Sequence, residues 1–166
     1  MRRNIFIIVP VSMLVACASL PLAINEGLFS GETPASVLEK NATGKQVRWG
    51  GVIISVSPSL AETCFEILSR PLDNEGEPRP VDATEGRFVA CASQFYDPAA
   101  YPNGRHLTVK GTVQTSVTCK IGDYERRCPQ VKIEALHLWA KREYQRGPCY
   151  SDPFWGTRSI WPWYYR

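Results

Sequence analysis

The sequence predicts an all-β domain, either a small five-stranded barrel of bent strands or a compact sandwich, preceded by a cleaved leader and a tether. Three observations predict this class. Apolar residues alternate with polar or small residues in several separate stretches after residue 45. Segments rich in Pro, Gly, Asp and Asn separate these stretches, as is typical of loops between strands. The Gly50-Gly51 pair interrupts the first stretch and indicates a bend within one long strand.

Composition and net charge argue against two classes of protein, polytopic membrane proteins and nucleic-acid binders. The chain has 166 residues, of which 44% are apolar, which is typical of a globular protein with one modest core. No apolar run reaches the roughly 18 residues of a membrane-spanning helix, so we do not expect a chain that crosses the bilayer repeatedly. The net charge is +3, and removing residues 1–16 with Arg2 and Arg3 lowers it to +1. We therefore expect no nucleic-acid partner.

Residues 1–16 are typical of a signal peptide. Arg2 and Arg3 give a positively charged start, a short apolar stretch follows, and small residues end it. The last residues, Leu14-Val15-Ala16-Cys17, are similar to the lipobox of bacterial lipoproteins. That resemblance implies cleavage before Cys17 and covalent diacylglyceryl and N-acyl lipid on this residue, and we expect no other cofactor. The alternative is an ordinary cleaved leader that leaves Cys17 as a disulfide partner.

Lipid on Cys17 would fix the location. Each buried CH₂ group contributes about 0.8 kcal/mol, and stable anchoring takes at least two acyl chains. In lipoproteins of this class an Asp after the lipidated Cys tends to retain the protein in the inner membrane, whereas Ala18 and Ser19 are not acidic here. The resemblance thus implies the outer membrane, at its periplasmic face, with outer membrane lipid as the first partner.

Residues 17–45 are interpreted as a lipid-anchored tether. Gly, Pro, Ser, Glu and Asn are scattered along this segment. Thr33-Pro34 is a favourable start for one short helix that runs through Leu38. We expect little other order before residue 46.

Residues 46–142 are predicted to form the β domain. The predicted strands are residues 46–56, 63–70, 87–92, 106–117 and 130–139. In the last strand Val131 and Ile133 fall on one parity and Leu136 and Leu138 on the other, which indicates a bulge near Ala135. Five strands with a bent first strand fit a partly open Greek-key barrel such as the OB-fold, and a small sandwich remains the alternative.

Cysteine spacing suggests two bridges, with Cys64 and Cys91 as the first pair. Six cysteines occur, and lipidation of Cys17 leaves five. Antiparallel pairing that places Cys64 opposite Cys91 also sets Phe65 against Ala90, so that one face of the pair is apolar.

The second candidate pair is Cys119 with Cys128, which flank a predicted hairpin around Gly122-Asp123. Direct pairing of these cysteines puts the apolar Val113 opposite the charged Glu134, and such a pair does not fit one apolar face. A bulge would rescue the bridge by shifting the phase. Cys149 is then the odd cysteine. The competing interpretation of all five is a small buried apolar side chain.

The sequence gives little sign of catalysis. No His-Glu-x-x-His, Gly-x-Ser-x-Gly or Cys-x-x-Cys arrangement occurs in it. His106 and His137 both fall in predicted strands, where a structural or surface role is more common than that of a general base. A zinc site from Cys119, Cys128 and His137 is conceivable, but the irregular spacing and an oxidising compartment favour disulfides. We expect neither catalytic nor metal-binding residues.

Four runs together resemble the Slp family of outer membrane lipoproteins, the starvation-inducible type. They are Val47-Arg48-Trp49-Gly50-Gly51-Val52-Ile53; Gly86-Arg87-Phe88 with Phe95-Tyr96-Asp97-Pro98-Ala99-Ala100-Tyr101-Pro102-Asn103-Gly104-Arg105; Lys120-Ile121-Gly122-Asp123-Tyr124; and Leu136-His137-Leu138-Trp139. The resemblance covers residues 34–139. It implies an outer membrane lipoprotein of Gram-negative bacteria, associated with starvation and stationary phase, without an assigned catalytic activity. Cys119 and Cys128-Pro129 depart from the usual pattern, in which a Gly and a Tyr-Pro pair are more familiar.

An aromatic tail (residues 143–166) follows the β domain. Eight of its 24 residues are aromatic, and Pro148, Pro153 and Pro162 interrupt them. Rings with polar tips suit a membrane–water interface, which makes the tail a candidate contact with membrane or partner. A cover over the barrel end and stacking on envelope sugars are the alternatives. The residues chosen for the contact are Trp155, Trp161, Trp163, Tyr164 and Tyr165.

The sequence therefore favours a non-enzymatic outer membrane lipoprotein that presents a small β domain to an envelope protein or glycan. The second hypothesis is a lipid-tethered periplasmic hydrolase or metal-dependent enzyme, with residues 95–105 as its cleft. A third is a soluble secreted binding domain, which a wild-type mass without acyl chains would support.

Overall fold

The structure, a computed structural model, describes residues 22–141. The predicted signal peptide, Cys17 and the aromatic tail with Trp155, Trp161, Trp163, Tyr164 and Tyr165 lie outside the described residues. Within residues 22–141, no helix is both long enough and apolar enough to cross a membrane.

Five strands form a closed barrel, which confirms the predicted all-β fold and selects the barrel over the sandwich. They are β1 (Gln46–Pro58), β2 (Thr63–Arg70), β3 (Gly86–Ala92), β4 (His106–Ile121) and β5 (Tyr124–Leu138). Their order around the barrel is β1-β2-β3-β5-β4. All neighbouring pairs are antiparallel except β3 with β5, which pair in parallel over only three residue pairs, from Val89–Gln130 to Cys91–Lys132.

β1 bends and pairs with two neighbouring strands. Its first half pairs with β4 and its second half with β2, and Gly51 lies opposite Leu107 on one side and Ser69 on the other. A Cβ atom at Gly51 would collide with the backbone carbonyl of Leu68. The predicted bend at Gly50-Gly51 is therefore a place where only glycine lets the strands approach.

The barrel interior is filled by side chains. In β2 burial alternates strictly, and Phe65 and Ile67 face inward. The buried apolar cluster takes residues from all five strands and from the segment before them: Val37, Ala42, Val47, Trp49, Ile53, Phe65, Ile67, Phe88, Ala90, Leu107, Val109, Val113 and Val131. A barrel of this size has room for these side chains and little else.

β4 and β5 form one long twisted ribbon that extends beyond the predicted strands at the turn. Gly122 takes φ 61°, which suits the first central position of a two-residue hairpin turn. Two bulges shift the register. One leaves Glu134 unpaired between Lys110–Ala135 and Gly111–Ile133, next to the predicted position at Ala135, and the other lies between the pairs Val113–Val131 and Ser116–Pro129.

The segment that precedes the barrel differs from the predicted tether. Two short helices, α1 (Leu22–Asn25) and α2 (Pro34–Lys40), lie on the barrel, and we call residues 24–45 the strap. Ile24 is only 1% exposed. The Ser30 N–H donates to the Gln46 carbonyl at 2.9 Å, and the Gly44 N–H donates to the Val113 carbonyl at 2.8 Å. Isolated apolar residues and backbone bonds, rather than composition, thus decide the conformation of this segment.

Helix α2 begins where the sequence predicts and ends two residues later than predicted. Thr33 is the N-cap and exchanges hydrogen bonds with Ser36 in a capping box, and Pro34 follows in the first turn. Val37 enters the core. Asn41 ends the helix with φ 48°, and its N–H donates to the Val37 carbonyl.

Candidate functional site

The structure joins Cys64 to Cys91 in a disulfide. The two residues lie directly opposite each other on β2 and β3, with their Cα atoms 4.1 Å apart. Phe65 faces Ala90 in the same register, as predicted. The Gln130 side chain contacts the Cys91 sulfur at 3.3 Å across the short β3–β5 seam.

The structure also joins Cys119 to Cys128, but the two cysteines are diagonal neighbours. Cys119 lies opposite Arg126 and Cys128 opposite Val117, with the two cysteine Cα atoms 5.9 Å apart. The direct pairing considered from the sequence is not adopted because the turn pairs Ile121 with Tyr124, which sets Cys119 opposite Arg126. Beyond the next bulge, Val113 lies opposite Val131 instead of Glu134. A diagonal pair on one face of a ribbon is still within reach of a bridge.

These bridges occupy the sulfur atoms that could have held a metal. Glu62, Cys64 and Cys91 offer ligand atoms within 4.8 Å of one another, but both of these thiols are bonded to each other. The conceivable zinc site of Cys119, Cys128 and His137 loses its two thiolates in the same way. A disulfide sulfur is not the thiolate that binds zinc.

Both histidines lie at the end of the barrel where β4 starts and β5 stops. His106 Nδ1 is 3.8 Å from the Glu77 carboxylate, and Glu77 is 7% exposed on the loop between β2 and β3. The His137 ring meets Trp139 edge-on, with ring centroids 4.7 Å apart. The sequence did not indicate that Glu77 lies near His106, because the loop that carries Glu77 has no strand or helix pattern.

The Thr108 hydroxyl, which lies beside these histidines, has a structural role. Thr108 is buried, and its hydroxyl donates to the Gly76 carbonyl at 2.7 Å. It accepts from the Trp139 indole N–H at 2.9 Å. Since its proton and an acceptor position are both engaged, Thr108 is not poised as a nucleophile. The geometry instead fastens the β2–β3 loop to the barrel.

The loop of residues 93–105 contains the cleft of the second hypothesis, residues 95–105, and fills one end of the barrel. Tyr96 and Tyr101 meet Phe65 edge-on, with ring centroids 5.6 and 5.4 Å away. The Tyr96 N–H donates to the Thr63 hydroxyl at 3.1 Å. Burial raises the pKa of Tyr101, and the neighbouring Tyr96 adds to the rise. The two tyrosine rings therefore close this end of the barrel.

A cationic and aromatic cluster holds the start of the strap. The Phe29 ring lies 5.0 Å from the Arg48 guanidinium and 5.9 Å from the Lys110 ammonium group. Arg48 donates to the Asn25 side-chain oxygen at 2.8 Å, and Lys110 donates to the Glu26 carbonyl at 2.6 Å. Sequence reasoning missed this cluster because its members are distant in the chain.

Leu28 lies beside this cluster and remains 98% exposed. Gly27 before it has φ 129°, a conformation that other residues rarely adopt. The chain thereby turns Phe29 onto the cations and leaves Leu28 in solvent. A large apolar side chain exposed beside two cations is a candidate contact with another surface.

Glu32 is the electrostatic centre of the strap. Its carboxylate accepts from the Ser36 hydroxyl at 2.6 Å and from Lys40 at 3.1 Å, and Lys45 lies 3.6 Å away. The Ser36 hydrogen bond and then the Lys40 hydrogen bond lower the pKa of Glu32 below its ordinary value. These bonds hold α2 and the end of the strap to one another.

Comparison with known proteins gives a family and two relatives. The model of the outer membrane lipoprotein Slp family matches residues 14–166. The outer membrane protein Slp of Escherichia coli K12 is 28% identical over 159 residues, covering 87% of this chain and 84% of the relative. The lipoprotein YeaY of the same strain is 29% identical over 161 residues, covering 92% of this chain and 81% of the relative.

Among solved structures, a small single-stranded DNA-binding protein from Streptomyces coelicolor aligns with a TM-score of 0.39 and 14% identity. The alignment covers 57% of this chain and 94% of that one. A likeness of this size carries no argument about function.

Proposed function

Because the chain belongs to the outer membrane lipoprotein Slp family, we propose that it is anchored through lipid on Cys17 and presents its barrel to envelope partners without catalytic turnover. The observation that carries this proposal is the extent of the family match. It runs from residue 14 to residue 166 and so includes Leu14-Val15-Ala16-Cys17 as well as the barrel.

The described residues favour presentation over catalysis. Side chains fill the barrel interior, and Tyr96 and Tyr101 close the end where the second hypothesis places a cleft. A small-molecule site is normally a concavity that buries most of its ligand. A filled barrel offers its outer surface and loops instead, which suits contact with a protein or a glycan.

Lipidation is tested by the mass and the partitioning of the mature protein. We expect the wild-type protein to carry diacylglyceryl and N-acyl groups and to enter the detergent phase, because several acyl chains anchor a protein stably. Cys17→Ser should abolish both properties. Cys149→Ser is the matched control, since it removes a thiol that neither observed bridge uses. Wild-type protein without acyl chains, found in the aqueous phase, would overturn the proposal.

The periplasmic orientation is tested with protease on intact and permeabilised cells. We expect the barrel to be digested only after the outer membrane is opened. Digestion in intact cells would show that the protein faces outward. The partner is sought by crosslinking in intact envelopes, with the Cys17→Ser protein as the control for contacts that need the anchor.

The proposal extends to envelope adaptation in starvation and stationary phase, which the family resemblance implies. We expect the protein to accumulate when cells stop growing and its loss to alter envelope integrity at that stage. Equal protein levels in growing and starved cells would contradict this part without affecting the anchor.

A further inference from the structure

Few residues separate the proposed anchor at Cys17 from the part of the chain that is held on the barrel. Arg48 and Lys110 hold the chain at Asn25 and Glu26, and Ile24 is buried. Cys17 and Leu22, the first residue of α1, are five residues apart. An extended chain advances at most about 3.4 Å per residue, so the two Cα atoms are separated by no more than about 17 Å.

Leu28 is close to the place where this connection meets the barrel. Four residues of the intervening chain are helical, and an α-helix rises only about 1.5 Å per residue. The Cα atoms of Leu22 and Leu28 therefore lie within about 15 Å of each other. A membrane that holds Cys17 is within reach of Leu28.

The charges around Leu28 complement a phospholipid surface. Arg48 and Lys110 lie on the neighbouring Phe29 ring. A guanidinium has five N–H donors and an ammonium three, so the bonds to Asn25 and Glu26 leave donors for phosphate oxygens. An exposed Leu flanked by such cations is the arrangement that suits a lipid headgroup layer.

We propose that the strap surface, formed by Leu28, Phe29, Arg48 and Lys110, rests on the phospholipid layer to which Cys17 is anchored. Leu28 enters the interface, and the two cations face phosphate groups. This inference depends on the lipid anchor of the proposed function. It adds which side of the barrel faces the membrane and therefore which sides remain open to partners.

The chain offers a matched control in Leu60. This leucine is fully exposed, like Leu28, but lies in the turn between β1 and β2. Arg48 and Leu60 are separated by twelve residues along β1 and the turn after it, a path of up to about 40 Å. Arg48 lies in the half of β1 that pairs with β4, whereas Leu60 follows the end of β1 that pairs with β2, so the inference places Leu60 outside the strap surface.

The test uses the full lipidated protein in vesicles of phosphatidylethanolamine and phosphatidylglycerol. The photoreactive amino acid p-benzoylphenylalanine replaces Leu28 in one variant and Leu60 in the other, and phospholipid adducts are measured by mass spectrometry after irradiation. We expect at least about fivefold more adduct at position 28, because the anchor sets a high local lipid concentration there. Equal adducts at both positions, or more at position 60, would overturn the inference.

Failure of the inference and failure of the anchor are distinguishable. The acyl mass and the detergent partitioning of each preparation report on Cys17 alone. Acylated protein with equal adducts at both positions refutes the membrane-facing surface and leaves the proposed function intact. Protein without acyl chains refutes both. Urea unfolding of the two variants checks the fold, and exchanging an exposed side chain should leave the midpoint close to that of the wild type.

Discussion

The indole Nε1 of Trp49 donates a hydrogen bond to the backbone carbonyl of Glu32 at 2.7 Å. Trp49 is a core residue of β1, only 4% exposed, and its ring meets Phe88 edge-on with centroids 5.2 Å apart. One side chain therefore belongs to the barrel core and also holds the strap. The position of the strap is tied to the integrity of the core.

Trp49→Phe is expected to loosen the strap more than it disturbs the core. The substitution keeps an aromatic ring but removes the donor to Glu32, and an unmade hydrogen bond in a partly buried place costs about 1–2 kcal/mol. We expect this loss in urea unfolding, together with faster amide exchange in residues 30–40. Unchanged exchange there would show that the bond does not hold the strap.

The two disulfides are expected to contribute unequally to stability. The bridged cysteines are 27 residues apart in Cys64–Cys91 and 9 apart in Cys119–Cys128, which corresponds to about 3.6 and 2.6 kcal/mol in the chain-entropy model. We expect the Cys64→Ala/Cys91→Ala protein to lose about 1 kcal/mol more than Cys119→Ala/Cys128→Ala in urea unfolding. An equal or reversed order would contradict the prediction.

Gly51→Ala is expected to disrupt the barrel. The added Cβ would meet the Leu68 carbonyl, which is backbone and cannot move aside without separating β1 from β2. We expect a loss of about 3 kcal/mol or more in thermal or urea unfolding. Gly31→Ala is the control, because a Cβ there finds no atom within 4 Å, and it should shift stability by less than about 0.5 kcal/mol. Similar effects at both positions would be inconsistent with the close approach of the strands.

Glu32→Gln is expected to change how stability depends on pH. The folded-state pKa of Glu32 lies below its ordinary value of 4.5, so the folded state binds fewer protons than the unfolded chain. The stabilisation is complete above that value and is lost as the pH falls through the folded-state pKa. We therefore expect the difference between wild type and Glu32→Gln in urea unfolding to be larger at pH 7 than at pH 3.

Lys40→Gln is the comparison for this experiment. The Ser36 hydroxyl makes the largest contribution to the lowered pKa of Glu32, ahead of Lys40. Lys40→Gln should therefore keep the larger part of the pH dependence. A stability difference between wild type and Glu32→Gln that is the same at both pH values would refute the assigned role of the carboxylate.

The sequence was sufficient for the features that depend on local pattern. Alternating apolar residues predicted the register that places Cys64 opposite Cys91, and the change of parity after Ile133 predicted the bulge observed at Glu134. Pro34 after Thr33 predicted the start of α2. In each case the signal is a residue pattern within single strands or at one helix end.

Features that depend on distant residues were not predictable in this way. The strap has the composition of a linker, and only its contacts with Arg48, Trp49 and Lys110 fix it on the barrel. β5 begins at Tyr124, whereas the sequence pattern predicts a start at residue 130. The first residues of the strand were not predicted because they, including Arg126 and Arg127, are exposed and lack the alternation of a half-buried strand. The proximity of Glu77 to His106 arises from a loop that carries no periodic signal.

Helices α1 and α2 both contact β5, the last of the strands described within residues 22–141. A protein made from its N-terminus onward therefore completes the surface that holds α1 and α2 only when β5 is in position. Before that moment, Lys45 lies 28 residues after Cys17 along the chain and the two can be up to about 95 Å apart, whereas afterwards only the five steps from Cys17 to Leu22, about 17 Å at most, separate the anchor from α1. Completion of folding thus draws the molecule in toward its point of attachment.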